Sequence, residues 1–171
     1  AWYYGGALLI SDAPAIVSSN VIVANTVGIG GNGGAAIIGG VGGPPPIEPP
    51  TFTGNIFFEN NAGSGGAIGV FQSGPLPVFH DNYLVDDATY QVLVHDTPSI
   101  DTLDFSGNWW GTDDPAAIAA RIYDSSDDPL LLWTVDFSGW CVDASCSGGV
   151  TGIYETEPQL ETWSRIKNAY R

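Results

Sequence analysis

The chain has 171 residues, 44% of them hydrophobic, with 23 Gly and 12 Pro. Its length and hydrophobicity predict one folded domain with a continuous core and exclude a disordered chain. Nineteen acidic residues oppose four basic ones, and residues 1–120 contain no Lys or Arg, so the composition argues against nucleic acid as a partner.

The beginning of the chain is strand-like, with the sequence AWYYGGALLI. It contains neither an initiator Met nor a basic segment followed by an apolar one, and no apolar stretch reaches the roughly 18 residues of a transmembrane span. We therefore expect no transmembrane span, and a mature or trimmed chain that is the C-terminal portion of something longer.

Two short patterns alternate along the chain. The first joins glycines to small and aliphatic residues, as GGALLI from Gly5, GGAAII from Gly33 and GGAIGV from Gly65, with YQVLVH from Tyr90 in the fourth equivalent place. The second begins with Asn and has Asn or Asp at its sixth place, as NVIVANT from Asn20, NIFFENN from Asn55, NYLVDDA from Asn82 and NWWGTDD from Asn108. Copies of the second pattern are 35, 27 and 26 residues apart.

Short β-rich segments at this spacing, separated by Gly, Asn and Asp turns, predict an all-β β-solenoid whose coils stack through parallel strands. Asparagine tolerates left-handed backbone and bonds its own chain at corners, so the repeated asparagines are expected to stack as a ladder. The bulky residues after them are expected to alternate into the core, as at Val21, Ile56, Phe58, Tyr83 and Val85.

One segment interrupts the repeat. Residues 39–50, GGVGGPPPIEPP, predict an extended loop with polyproline character, which accounts for the longer first spacing. A ligand for proline-binding domains is the alternative.

Two segments carry a family resemblance. FFENNAGSGGAI, residues 57–68, resembles the F-x-x-N and G-G-A-I repeats of polymorphic outer-membrane proteins, and the segment from GNWWGTDD resembles the final coil of right-handed parallel β-helix surface proteins. The resemblance covers roughly residues 1–140 and implies a right-handed parallel β-helix. It does not imply one activity, because this architecture hosts adhesins, passenger domains, polysaccharide lyases and glycoside hydrolases.

The adjacent tryptophans of NWWGTDD fall on the repeat. Neighbouring residues of an extended strand point to opposite sides, so one indole should close the core and the other cover an edge. Sugar stacking is the alternative, and the glycan-contact candidates are Trp109, Trp110, Tyr83, Tyr90 and His95.

After this copy, DDPAAIAARIYD predicts a short helix that caps the open end of the stack. Asp114 is its expected N-cap, Pro115 lies in the first turn, and Ile118 and Ile122 share one face. A further strand is predicted within residues 130–140, with one buried face formed by Trp133, Val135 and Phe137.

Two cysteines follow, Cys141 and Cys146, in CVDASC. A local disulfide is the preferred interpretation, which fits an extracellular, cell-surface or periplasmic location, and two buried thiols are the alternative. We divide the chain into coils with a terminal cap, 1–140, and a cysteine loop with a C-terminal tail, 141–171.

The tail predicts an amphipathic helix. A capping box spans Thr156 to Gln159, and one helical face is expected to carry Leu160, Trp163, Ile166 and Tyr170. Three of the four basic residues lie in 165–171, so the helix is expected to dock on an acidic surface, either of its own chain or of a neighbouring subunit.

Acidic clusters are the candidate metal ligands. A surface calcium site is predicted at Asp124, Asp127 and Asp128, and calorimetry at millimolar calcium tests it; solvated turn aspartates are the alternative. No other cofactor is expected.

The coils contain no assembled active site. Lyases of this fold need basic residues, which the coils lack, and His80 and His95 are the only candidate bases there. The expected function is therefore a non-catalytic structural, adhesive or assembly subunit, whose coil ends and tail bind other proteins or other copies. The alternative is a carbohydrate-active or carbohydrate-binding β-helix protein, with lyase or hydrolase activity if it is an enzyme.

Overall fold

A computed structural model describes residues 3–4, 6–28, 31–39, 48–63, 66–71, 76–85, 89–95 and 100–143. These residues form short strands and one short helix, in chain order β1 Tyr3–Tyr4, β2 Leu8–Ser11, β3 Ile16–Ser18, β4 Val21–Val23, β5 Thr26–Val27, β6 Gly31–Asn32, β7 Ala36–Gly39, β8 Thr51–Thr53, β9 Ile56–Phe58, β10 Asn61–Ala62, β11 Gly66–Val70, β12 Val78–His80, β13 Tyr83–Val85, β14 Tyr90–Val94, β15 Asp101–Asp104, α1 Pro115–Ala119, β16 Ile122–Tyr123 and β17 Trp133–Asp136. The predicted all-β class is confirmed.

Three parallel sheets contain most of these strands. Sheet 1 has the order β16-β14-β11-β7-β2, sheet 2 the order β17-β15-β12-β8-β3, and sheet 3 the order β13-β9-β4. Two small parallel pairs, β1 with β6 and β5 with β10, accompany them. The chain visits sheets 1, 2 and 3 in turn, and each visit adds a strand beside the one laid down a repeat earlier.

The register of sheet 3 follows the asparagine repeat. Val21 lies beside Ile56, Ile56 beside Tyr83, and Tyr83 forms an isolated bridge with Trp109. In sheet 1, β14 pairs with β11, which confirms the predicted equivalence of YQVLVH with the glycine-rich copies.

The predicted direction of the side chains in sheet 3 was wrong by one residue. The residues that enter the core are Ile22, Phe57, Leu84 and Trp110, whereas the outer face carries Val21, Ile56, Phe58, Tyr83 and Val85. The asparagine itself is buried at the corner, so the residue after it points outward. Because strand side chains alternate, a one-residue phase error exchanges the two faces completely.

The centre of the core is a stack of phenylalanine rings from sheet 2. The Phe52 and Phe79 centroids lie 4.1 Å apart and those of Phe79 and Phe105 lie 4.3 Å apart, with the rings nearly parallel. All three side chains are fully buried. Identical register in successive repeats therefore places like side chains on one another, and each ring buries a large apolar area.

The helix forms as predicted but does not cap the stack. The Asp114 side chain accepts a hydrogen bond of 2.9 Å from the Ala116 N–H, and Ile118 is buried in the core. Ile122 is not helical: it lies in β16, beside Val92 of β14. Since β16 and β17 both follow α1, this helix is a connection inside a repeat.

The sequence suggested that NWWGTDD is the last copy of the repeat. This prediction was wrong, because a further repeat follows it. Asp104–Gly107 and Asp136–Gly139 have the same sequence, DFSG, and Asp104 lies beside Asp136 in sheet 2. Trp109 and Cys141 make equivalent backbone hydrogen bonds to the repeat before them. The Trp109 N–H, one residue after Asn108, donates to the Asn82 carbonyl, and the Cys141 N–H, one residue after Trp140, donates to the Asn108 carbonyl. Trp140 therefore stands where the earlier repeats have asparagine.

The strand predicted within residues 130–140 is confirmed as β17. Trp133 and Val135 are buried and Phe137 is half-buried beside Trp140, with ring centroids 6.0 Å apart. Most of the 39–50 loop, Cys146 and the predicted tail helix lie outside the described residues. In the part of the chain that is described, no helix is long and apolar enough to cross a membrane.

Candidate functional site

The repeated asparagines form a continuous hydrogen-bonded ladder at one corner of the stack. The Asn55 Oδ1 accepts from the Asn20 backbone N–H and Nδ2, at 3.0 and 3.1 Å. The Asn82 Oδ1 accepts in the same way from Asn55, at 3.0 Å twice, and the Asn108 Oδ1 from Asn82, at 2.8 and 3.0 Å. Each amide thus joins two repeats, as the sequence predicted.

The amide groups of the ladder also hold the backbone of the corner. The Asn82 Nδ2 donates to the carbonyl oxygens of Phe52 and His80, at 3.0 and 2.9 Å. The Asn108 Nδ2 donates to those of Phe79 and Phe105, at 2.8 and 2.7 Å. Because these amides are fully buried, their hydrogen bonds replace water that the backbone would otherwise need.

A second, shorter ladder joins the first two repeats at the sixth place of the pattern. The Asn60 Oδ1 accepts from the Asn25 backbone N–H and Nδ2, at 3.1 and 2.8 Å, and the Asn60 Nδ2 donates to the Ile22 carbonyl. The rule "Asn or Asp at the sixth place" is the sequence signal for it, although we did not predict a ladder there.

Trp110 is wrong as a glycan-contact candidate because it is completely buried. Its ring packs between Phe105 and Phe137, with centroids 6.2 and 6.4 Å away. Trp109 is half-buried on the outer face of sheet 3. The expectation that one indole closes the core is confirmed by Trp110, and the expectation that the other covers an edge or a packed loop stays a prediction for Trp109.

Trp109 and Tyr83 form an aromatic pair on that outer face. Desolvation by burial raises the pKa of the Tyr83 phenol, and this effect outweighs the side-chain hydrogen bond with Trp109, which lowers that pKa. The phenol is therefore neutral at physiological pH, and the pair presents two rings with one polar tip.

The other aromatic candidates lie on sheet 1. Tyr90 packs against Tyr123, with centroids 5.1 Å apart, and His95 stacks on Phe71 at 4.8 Å. Tyr90 and His95 are on opposite ends of β14, so the described structure brings Tyr83 and Trp109 together but does not gather all the candidates in one groove.

His80, Asp104 and Ser106 form an ion-pair cluster on the outer face of sheet 2. The His80 Nε2 lies 3.1 Å from the Asp104 Oδ2, and its Nδ1 lies 3.1 Å from the Ser106 carbonyl oxygen. The Ser106 hydroxyl donates to the Asp104 Oδ1 at 2.8 Å. In the imidazolium form both ring nitrogens of His80 donate, which ties β12 to the end of β15.

This cluster contains the residue types of a nucleophilic triad without its arrangement. A serine nucleophile must direct its proton to the histidine, and the histidine must be oriented by a separate carboxylate. Here the Ser106 Oγ lies 3.2 Å from the His80 Nδ1, but the Ser106 hydroxyl and backbone N–H both donate to Asp104, the same carboxylate that pairs with His80. The geometry supports a clamp between neighbouring repeats.

Asp104 makes the clamp sensitive to acid. Burial raises the pKa of its carboxyl, but the hydrogen bonds from Ser106 and the charge of His80 together outweigh burial, and the pKa lies below its ordinary value of 3.8. A carboxyl with a lowered folded pKa stabilises the fold above its ordinary pKa, and that stability is lost as pH falls through the folded value.

We expect Asp104→Asn to remove this acid dependence, with a loss at neutral pH below about 1 kcal/mol because the pair is half-exposed and screened. Urea unfolding between neutral pH and pH 3 measures it. Asp136→Asn is the matched control. Asp136 lies in the second DFSG segment and accepts from the Ser138 N–H there, whereas the histidine His80 pairs with Asp104. Equal acid dependence in the wild type and Asp104→Asn would contradict the assignment.

The carboxylates of the predicted calcium site accept backbone hydrogen bonds. The Asp124 oxygens accept from the N–H groups of Ser126 and Val135, each at 2.8 Å, and the Asp128 Oδ1 accepts from Leu130 at 2.9 Å. No group of three or more metal-ligating side chains is found in the described part of the chain. Calcium binding at Asp124, Asp127 and Asp128 stays a prediction.

Cys141 is buried, and none of the described cysteines is free. Its predicted partner, Cys146, lies outside the described residues, so the disulfide between them stays a prediction.

Comparisons with protein-family models, with curated proteins and with solved structures found no match to this chain.

Proposed function

We propose that the chain is a right-handed parallel β-helix that serves as a non-catalytic structural or adhesive subunit outside the cytoplasm. The regular visit to sheets 1, 2 and 3 and the parallel pairing of successive repeats support a β-helix. Crossover connections between parallel strands are right-handed in nearly all proteins, which supports the handedness. The predicted disulfide supports the compartment.

The observation that carries the function is the open edge of the first repeat, formed by β2, β3 and β4. Each strand has an exposed large apolar residue: Leu9 is 60%, Ile16 84% and Val21 43% exposed. Among the described residues, no strand pairs with the outer side of β2, β3 or β4, and backbone groups at such an edge readily pair with another strand. We propose that another protein or another copy of the chain binds there.

The asparagine ladder supports the same surface. In every step of the ladder, an Oδ1 accepts from the asparagine one repeat earlier, and Asn20 is the first asparagine of the series. Asn20 is exposed, so its Oδ1 is the acceptor through which an added strand would continue the ladder.

The native mass of the protein from its source tests this proposal. We expect a particle well above the covalent mass of 17.9 kDa. Ile16→Asp should weaken assembly roughly tenfold, because it places a charge in the apolar centre of the interface. Ile100→Asp is the control. Ile100 is 85% exposed, like Ile16, but it precedes β15, which is not one of the three strands of the open edge. A wild-type monomer, or equal loss in both variants, would reject the open edge as the interface.

Glycan binding is the second candidate, favoured by the Tyr83–Trp109 pair. Two adjacent half-exposed rings with a hydroxyl at one tip are suited to stacking on a sugar and donating to it. Acidic and neutral polysaccharides should then protect tryptophan fluorescence from a soluble quencher, and Trp109→Ala should abolish the protection.

A further inference from the structure

The last repeat ends in a strand edge that differs from the open edge of the first repeat. β17 is the longer of its two strands and pairs with β15, and in the described part of the chain no strand pairs with the other side of β17. The carbonyl oxygens of Leu132 and Asp136 accept from residues of the preceding repeat. Because the backbone groups of successive strand residues point to alternate sides, those of Trp133 and Val135 face the outer side of β17.

The turn of residues 124–128, which follows β16, bonds to that outer side. The Ser125 N–H donates to the Trp133 carbonyl at 3.0 Å. The Asp124 Oδ2 accepts from the Val135 N–H at 2.8 Å. The turn therefore satisfies two successive outward-facing backbone groups in the middle of the edge.

This turn bonds to β17 as one residue of an added strand would. A paired residue in the stack bonds to both neighbours of its partner: the Trp109 N–H donates to the Asn82 carbonyl, and the Trp109 carbonyl accepts from the Leu84 N–H. The 124–128 turn presents the same donor and acceptor on either side of Thr134, with a carboxylate oxygen in place of the carbonyl. A strand that arrived at β17 would find these groups already bonded.

Hydrogen bonds within the turn hold it in this position. Asp124 is only 6% exposed, and its Oδ1 accepts from the Ser126 N–H at 2.8 Å. The Asp124 carbonyl accepts from the N–H groups of Asp127 and Asp128, at 3.1 and 3.0 Å. The turn thus covers the edge with a loop and carries three carboxylates, and both a covering loop and charge keep strand edges unpaired.

The edge of the first repeat lacks this arrangement in the described structure. The Ala15 carbonyl and the Ser19 N–H bond to the next repeat, so the backbone groups of Ile16 face the open side. The Ile16 side chain is 84% exposed, whereas those of Trp133 and Val135 are 3% and 7% exposed. The two ends of the stack are therefore chemically different.

We propose that Asp124 is an end cap, which closes the β17 edge to strand addition so that the stack is extended through the first repeat. Exposed apolar side chains of the last repeat, Leu130 among them, do not reopen the edge, because strand addition needs free backbone groups. A copy with one open end joins one neighbour, and assembly stops at a limiting mass, whereas copies open at both ends join head to tail without limit. The limiting mass rests on the proposed function, but the closed edge does not.

Sedimentation velocity of the full chain over a wide range of concentrations tests the cap. We expect the wild-type mass to reach a limit. Asp124→Ala frees the outer side of β17, so its average mass should keep rising and exceed the wild-type value at least about fivefold at the highest concentration. Asp128→Ala is the matched control and should keep the wild-type limit, since Asp128 accepts from the Leu130 N–H within the same segment at 2.9 Å.

Two measurements separate edge pairing from aggregation of an unfolded variant. Adding Thr134→Lys to Asp124→Ala places a charge on the exposed middle of β17 without restoring the turn, and should return the mass to the wild-type limit. In the wild type, hydrogen exchange at the Val135 N–H should be at least about a hundredfold slower than at the Ile16 N–H.

Three results would overturn the cap: wild-type particles that grow without limit, equal masses for Asp124→Ala and Asp128→Ala, or growth of Asp124→Ala that persists with Thr134→Lys. Unlimited growth of the wild type would leave the first edge intact as an interface. A wild-type monomer beside a self-associating Asp124→Ala would support the cap while counting against the first edge as an interface between copies.

Discussion

Asn82→Ala is expected to lower the free energy of unfolding by about 3–5 kcal/mol, far more than a polar-to-Ala change on a surface. The Asn82 amide is fully buried in the middle of the ladder and serves both neighbouring repeats. Alanine would strand the Asn55 amide, which donates to Asn82, and the Phe52 carbonyl, which accepts from it. A buried donor or acceptor without a partner costs about 1–3 kcal/mol, and several are created at once.

Urea unfolding at neutral pH measures this loss, and two variants make it specific. Asn20→Ala, at the exposed end of the ladder, should cost about 1 kcal/mol or less, because the Asn55 Oδ1 keeps the Asn20 backbone N–H. Asn82→Asp keeps the size but replaces a donor with an acceptor facing the Asn108 Oδ1, so it should be no better than alanine at neutral pH. Similar small losses in all three variants would show that the ladder does not hold the repeats together.

The ladder was predictable because it rests on residue identity at a repeated place. Asn20, Asn55, Asn82 and Asn108 are recognisable without knowing which way any strand faces. The facing of the strands was not predictable in the same way. A corner residue consumes one position of the alternation, and only the backbone geometry shows whether Asn55 or Ile56 points into the core.

The last repeat was missed for a different reason. The asparagine pattern does not extend to this repeat, because the chain has Trp140 in place of that asparagine while it keeps DFSG from one repeat to the next. Comparing Asp104–Gly107 with Asp136–Gly139 would have revealed the extra strand pair. The His80–Asp104 clamp had no such signal, because the two residues are brought together only by the lateral register of β12 and β15.

The two tryptophans of NWWGTDD should differ sharply when each is replaced by alanine. Trp110→Ala is expected to cost about 3–5 kcal/mol, because it removes the largest fully buried side chain and leaves a cavity beside Phe105 and Phe137. Trp109→Ala, on the half-exposed outer face, should cost about 1–2 kcal/mol from partial loss of buried area. Urea unfolding of both variants, followed by far-UV circular dichroism, measures the difference.

Trp110→Phe separates packing from polarity at the same place. The indole Nε1 of Trp110 is buried and has no hydrogen-bond partner. Phenylalanine removes that unpaired donor while it keeps an aromatic ring, so the gain from the lost N–H offsets part of the lost volume. We expect Trp110→Phe to cost less than half of what Trp110→Ala costs. If Trp109→Ala proved the more damaging change, packing on the outer face of sheet 3 would contribute more to stability than packing of the Trp110 ring in the core.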